Sequence, residues 1–129
     1  EAKKPKPPED SEPPRFDLLG FTHFWARSRS GNWIVKRKTS TKRFSRALKA
    51  IREWCWFNMH RPVKEQAEKL GMKLRGHCAY YGITGNSHAL SSFKYWLTRA
   101  WFWALGRRSR KADMTWARFS RLLEVFPLP

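Results

Sequence analysis

The stretch RFDLLGFTHFWARSRSGNW, Arg15 to Trp33, decides how the rest of the chain is read. Phe16, Leu18, Phe21 and Phe24 are apolar, Asp17 and Thr22 are polar, and Gly20 interrupts the run. Ser30-Gly31-Asn32 supplies turn chemistry ahead of Trp33-Ile34-Val35. The pattern is a strand, a turn and a second strand, whereas everything after Val35 has helical periodicity. A lone hairpin is marginal in water. A hairpin opening a helical chain therefore points to a sheet completed by something else, with an exposed apolar surface around Phe16, Leu18, Phe21 and Phe24.

Ahead of the hairpin, residues 1–14 read EAKKPKPPEDSEPP, with five prolines and no large apolar side chain. This composition suits an extended or disordered linker. A linker leading into half a sheet, together with a start at Glu1, suggests a fragment or processed product.

Charge is the strongest compositional signal. The chain has 129 residues, enough for one domain, and a formal charge of +17. Residues 1–14 carry −1, so the remainder carries +18. A domain this basic repels itself unless a polyanion neutralises it, and on charge alone nucleic acid is the leading partner, with an anionic membrane surface second. Aromatic residues make up 16% of the chain, including eight tryptophans. That is enough for a packed core with rings left over for a surface, to stack bases or to dock a protein.

Three long helices and one short helix follow the hairpin. The first spans about Thr41 to Asn58, capped by Ser40 or Thr39, with Phe44, Leu48, Ile51 and Cys55 on one face. The second begins near Pro62, which suits a first helical position. Its stripe is Val63, Ala67, Leu70, Leu74, Cys78 and Tyr81, and Gly82, Gly85 and Asn86 end it. The third starts at Asn86 or Ser87 and runs to about Leu105. Its stripe is Leu90, Phe93, Leu97, Ala100/Trp101 and Ala104/Leu105, with Tyr95, Trp96, Phe102 and Trp103 partly off it. The last spans about Trp116 to Val125 between Thr115 and Pro127, burying Trp116, Phe119, Leu122, Leu123 and Phe126. The expected fold is mainly α: a linker over 1–14, a β-hairpin over 15–38 and a helical domain over 39–129.

The cations concentrate where the strand meets the first helix. Lys36, Arg37 and Lys38, then Lys42, Arg43, Arg46 and Lys49, form a dense cationic approach, expected to be one continuous face. Cations at a helix N-terminus oppose the macrodipole, so local stability does not explain them and anion binding does. Arg75 precedes Gly76, where the missing side chain lets another backbone or a phosphate approach. Arg107 and Arg108 open the basic loop GRRSRK. These ten residues are the candidate nucleic-acid-binding set.

Catalytic signatures are absent from the sequence. It has no Gly-rich phosphate loop, no GxSxG and no Cys–His pair at signature spacing. The acids beyond the linker, Asp17, Glu53, Glu65, Glu68, Asp113 and Glu124, include no DxD or DD pair to hold two metal ions. Glu65 and Glu68 lie among Lys64 and Lys69, as in ordinary surface pairing. No metal or other cofactor is expected. Cys55 and Cys78 lie in apolar helical patterns and read as buried free thiols, consistent with a reducing cytosol. No apolar run reaches the ~18 residues of a membrane span.

Four segments resemble the group II intron reverse transcriptases, in the family's order. FDLLGFTHFW resembles the segment closing the palm, where FDFLGF or a near variant is usual. GNWIVKRKTSTKRFSRALKAIREW resembles the start of the thumb. KLRGHCAYYGITGNSHALSSFKYWLTRAW resembles the maturase-specific signature, an Arg-Gly-aromatic step followed by a Tyr-Tyr pair and a helix. MTWARFSRLLEVFPLP resembles the C-terminal end of bacterial members that lack an endonuclease domain.

The resemblance implies a three-helix thumb, or domain X, that binds structured RNA, namely the intron RNA whose splicing it assists. It also implies a grip on the template–primer, including an RNA–DNA duplex. Leu19, Gly20 and Phe21 would be the primer-grip turn packing on the palm. The polymerase palm and fingers would be protein partners, the membrane would not be one, and the location would be the bacterial cytoplasm. The chain departs from the family at His77, where an aromatic is usual, and in the apolar run Trp54-Cys55-Trp56-Phe57. The paired aspartates of the polymerase site have no counterpart, so the chain alone would not be an enzyme. Two other functions fit the composition: a stand-alone or remnant module docking a protein through its tryptophans, and a DNA-binding helical domain.

Overall fold

The computed structural model describes residues 15–83, 85–108 and 114–129. The expected linker and part of the basic loop lie outside the described residues. The N-terminal segment forms three strands: β1 (Phe16–Leu18), β2 (Phe21–Arg27) and β3 (Trp33–Thr39), antiparallel in the order β1-β2-β3. The expected single hairpin is thus a three-stranded meander. The difference lies at Leu19-Gly20, which close a two-residue turn between Leu18 and its partner Phe21. Both turn residues have positive φ, 53° and 85°, the primed geometry whose twist matches that of the strands. The second connection follows the expected turn chemistry. Gly31 has φ of 84°, and the Ser28 amide donates to the Asn32 carbonyl at 2.8 Å.

Four helices follow: α1 (Thr41–Asn58), α2 (Val63–Tyr81), α3 (Ser87–Gly106) and α4 (Trp116–Val125). The structure bears out the mainly helical class. Ser40 caps α1 and Thr115 caps α4, each hydroxyl accepting a backbone N–H at 3.2 Å. Pro62 lies one step outside α2 as its N-cap, and its carbonyl accepts from the Gln66 amide. Proline suits either place because its ring fixes φ and no N–H is needed there.

The expected stripes converge on one core in which α3 is central. Leu48, Ile51 and Cys55 of α1, Leu70 and Leu74 of α2, and Phe93, Leu97, Trp101 and Leu105 of α3 are buried together with Phe119 of α4. Trp101 meets Phe119 edge-on, with centroids 5.6 Å apart. Trp116 departs from expectation: it is 47% exposed and stacks flat on Phe102 at 4.0 Å. Cys55 is fully buried and its thiol is pushed up to about 12, chiefly by burial. Cys78 is only half-buried. No helix among the described residues is long and apolar enough to cross a membrane.

Two buried carboxamides join the elements. Gln66 donates from Nε2 to the carbonyls of Arg61 (2.7 Å) and Met59 (3.2 Å), and its Oε1 accepts from the Trp101 indole at 3.1 Å. Asn86, just before α3, accepts from the Thr39 amide at 2.8 Å. Its Nδ2 donates to the Thr39 hydroxyl (2.9 Å) and to the Tyr81 carbonyl (2.7 Å). One side chain thus ties the end of β3, the end of α2 and the start of α3.

Truncating Asn86 strands buried groups at about 1–3 kcal/mol each. Asn86→Ala is therefore expected to cost ~3 kcal/mol in urea denaturation, well above a typical surface substitution.

His77 behaves as an aromatic side chain of the core. Its ring stacks on Phe93 with centroids 3.6 Å apart and planes 8° from parallel. Burial lowers its pKa from 6.5, so the folded chain favours the neutral ring and the unfolded chain takes the proton more readily. This contribution to stability is intact above the unfolded value and is lost as pH falls below it. His77→Phe should keep the stack and reduce the loss of stability between about pH 7.5 and 5, the range that brackets an ordinary histidine. Urea midpoints at the two pH values measure the effect.

Candidate nucleic-acid interface

Lys42, Arg43 and Arg46 are exposed on the opening turns of α1. Lys42, Arg46 and Lys49 follow one another at i, i+4 and i+7, a single stripe along the helix. The first turn of α1 contains no acid, so no side chain on that turn offsets either these charges or the positive end of the macrodipole. Lys42, Arg43 and Arg46 line a shallow concavity of about 220 Å³ with Asp17, Leu18, Leu19, Gly20 and Ser40. The cationic start of the helix and the Leu19-Gly20 turn, far apart in the sequence reading, share one depression.

The turn is held by its own carbonyls. The Gly20 carbonyl accepts from the Ser40 amide at 2.8 Å, and the Leu19 carbonyl accepts from the Tyr80 hydroxyl at 2.9 Å. A Cβ on Gly20 would lie 3.0 Å from the Tyr81 hydroxyl, so glycine is needed there for space as well as for backbone angle. Leu19 has no such freedom. It is a branched residue in the left-handed region, 74% exposed, at a cost of about 1–2 kcal/mol.

Phe21 corrects an expectation. It is not part of an exposed apolar surface but only 8% exposed, stacked on Tyr80 and tilted against Tyr81. Phe24 is half-buried, with the Lys38 ammonium 5.3 Å from its ring centre. Leu18 does remain exposed.

The strand divides the expected continuous cationic face. In the β2–β3 register Lys36 pairs with Phe24 and Lys38 with Thr22, while Arg37 pairs with His23. Successive side chains of a strand point to opposite faces. Lys36 and Lys38 therefore share one face and Arg37 takes the other, its guanidinium 5.9 Å from the centre of Phe21.

The remaining candidates also separate. Arg75 is exposed on α2, lining a groove of about 660 Å³ with Glu68, Gly71, Met72 and the residues after α4, away from the α1 stripe. Gly76 beside it faces open space, and no other backbone approaches it. Arg108 is half-buried and donates to the Arg61 carbonyl at 3.4 Å. Arg107 is exposed and lines a cleft of about 340 Å³ with Arg52, Trp56, Trp96, Arg99, Ala100, Trp103 and Ala104. Sequence reasoning misses Arg52 and Arg99. Their signal is spacing: Arg52 and Trp56 are one turn apart, as are Trp96 and Arg99.

Among the described residues, no group of three or more His, Cys, Asp or Glu side chains could hold a metal ion. No family model, curated protein or solved structure matches the chain.

The strain at Leu19 yields a test. Leu19→Gly should stabilise the chain by up to about 1 kcal/mol, because glycine adopts positive φ without steric cost. If the exposed leucine contacts RNA, the same variant should bind structured RNA more weakly despite the firmer fold. Urea denaturation and RNA titration of one preparation read both effects.

Proposed function

We propose that the chain is an RNA-binding, thumb-like module of the group II intron reverse transcriptase/maturase type, holding structured RNA through the opening of α1 and the turn beside it. The observation that carries this reading is the concavity shared by Lys42, Arg43, Arg46 and the Leu19-Gly20 turn. The resemblance assigns that turn to the primer grip and the following helix to the thumb. A template–primer lying across both would meet cations and a pinned backbone together. A-form RNA offers proteins mainly phosphates and 2′-hydroxyls, and a cationic depression bearing few base-reading groups suits such a ligand.

The sheet supports the proposed protein partner. Leu18 and Val35 are exposed and share one face of the sheet by its register, and β1 is a three-residue edge. A palm-like sheet packing there would cover apolar side chains that otherwise face water. In this reading the chain contributes binding and the catalytic aspartates belong to its partner.

The competing function, a protein-docking module, is favoured by Phe57, which is 81% exposed on α1 beside Trp56. Titrating the chain with structured RNA, duplex DNA and single strands over a salt series separates the possibilities. Replacing Lys42, Arg43 and Arg46 together with alanine should weaken RNA binding. It should also flatten log K against log salt by up to about 2–3, each phosphate no longer neutralised accounting for roughly 0.7–0.9. An unchanged slope would remove this face as the RNA site. Arg75→Ala tests the maturase signature: affinity for structured RNA should fall while stability stays within ~0.5 kcal/mol. A large loss of stability with unchanged affinity would make Arg75 structural.

A further inference from the structure

The cleft between α1 and α3 brings exposed indoles and guanidiniums together. Three indoles line it, and each is substantially exposed: Trp56 by 52%, Trp96 by 46% and Trp103 by 57%. Three guanidiniums line it as well, from Arg52, Arg99 and Arg107, and the lining contains no carboxylate. Ala100 and Ala104 belong to it too. Small side chains one turn apart on α3 leave room between the larger ones. The volume of about 340 Å³ lies at the lower end of the ~300–1,000 Å³ typical of small-ligand sites.

The placement follows from the helices. Arg52 and Trp56 are four apart on α1. Trp96, Arg99 and Trp103 recur on α3 at i, i+3 and i+7, beside the buried stripe of Phe93, Leu97 and Trp101, and Arg107 follows as its C-cap. The Arg99 guanidinium lies 5.3 Å from the centre of Trp116 and 5.6 Å from that of Tyr95, whose hydroxyl accepts from Nη1 at 3.1 Å. Those contacts orient Arg99 without neutralising it. A second cavity of about 230 Å³, lined by Phe44, Ser45, Leu48, Arg52 and Trp96, shares two residues with the first. It carries the groove toward the half of α1 that bears Lys42, Arg43 and Arg46. Lys49 is exposed one turn before Arg52.

We propose that this cleft takes up an unpaired nucleotide of the bound RNA, its base against the indoles and its phosphates against Arg52, Arg99 and Arg107. A paired duplex would satisfy the arginines but keep its bases stacked inside the helix, leaving the tryptophans wet. An unpaired nucleotide supplies a flat apolar ring and an anion a few bonds apart, and a base stacks on indole whatever its identity. An acidic, aromatic peptide could offer similar groups. Continuity with the α1 cations favours the polyanion, whose phosphates recur at the spacing of its backbone.

The proposal takes its ligand class from the RNA reading above, and the test separates the two. The full chain is titrated with a ten-nucleotide uridine strand, with an abasic strand of the same phosphate number, and with a fully paired RNA duplex. Binding is followed by fluorescence anisotropy of the labelled nucleic acid. Wild type should bind the uridine strand about ten-fold more tightly than the abasic strand, the scale of one base–aromatic stack. Trp96→Ala with Trp103→Ala should abolish that ratio and leave duplex affinity unchanged. Trp103→Phe should retain most of it, and far-ultraviolet dichroism checks that each variant folds. Equal wild-type affinities for uridine and abasic strands, with duplex still bound, would overturn the cleft proposal and leave the RNA reading standing. Failure to bind any of the three would overturn both. Binding of a copolymer of glutamate and tyrosine, abolished in the double variant, with no uridine preference would assign the cleft to protein instead.

Discussion

The carboxamide of Asn86 sets how the sheet meets the helices. It is fully buried, and its three hydrogen bonds end on β3 and α2 while its own backbone opens α3. Beside it, the sheet meets the bundle through Phe21 under Tyr80 and Tyr81 and through the hydrogen bonds from Ser40 and Tyr80 to the turn. Because Thr39 is fixed, Ser40 is fixed. Ser40 both caps α1 and holds the Gly20 carbonyl. The register between the Leu19-Gly20 turn and the cations of α1 is therefore a consequence of one amide. An apolar residue at 86 could fill the same volume but could not choose that register.

Gln66 plays a comparable part at the other end of the bundle. Its donors close the α1–α2 connection on Met59 and Arg61, and its acceptor orients Trp101, the largest fully buried side chain. Trp101 in turn receives Phe119 and seats α4. Buried polar groups that are fully satisfied add specificity more than net stability. The gain here is a fixed α3, and α3 supplies Trp96, Arg99 and Trp103 to one side and core to the other.

Much of the helical framework is legible in the sequence because its signals are local. Ser40 and Thr115 announce their helices, and the spacing of Leu48, Ile51 and Cys55 requires one face of α1. The turn at Leu19-Gly20 is less legible, since nothing about leucine favours positive φ. Only the later contacts of Tyr80 and Ser40 hold it there. Lys36 to Lys38 reads as one patch because adjacency in sequence is not adjacency on a strand, where the pleat sends Arg37 to the opposite face. Gln66 and Asn86 carry no sign of burial in their chemistry. The cleft joins Arg52 and Trp56 to residues some forty positions later, and no periodicity within either helix reports that they meet.

The distribution of cations explains why aromatic residues recur wherever charge is dense. With few acids available, several cations lie over rings: Arg27 is 4.6 Å from the centre of Trp33, Lys73 is 5.6 Å from Trp54, Lys38 is 5.3 Å from Phe24 and Arg99 is 5.3 Å from Trp116. An exposed contact of this kind is worth ~0.5–1 kcal/mol, close to an exposed salt bridge at ~0–1 kcal/mol. The two differ in what they leave behind. A salt bridge cancels the charge, whereas a ring holds the side chain in place and leaves its full charge to act at a distance. A chain carrying +17 that orders its cations on rings keeps that charge available to a polyanion, and binding one would relieve the self-repulsion it carries.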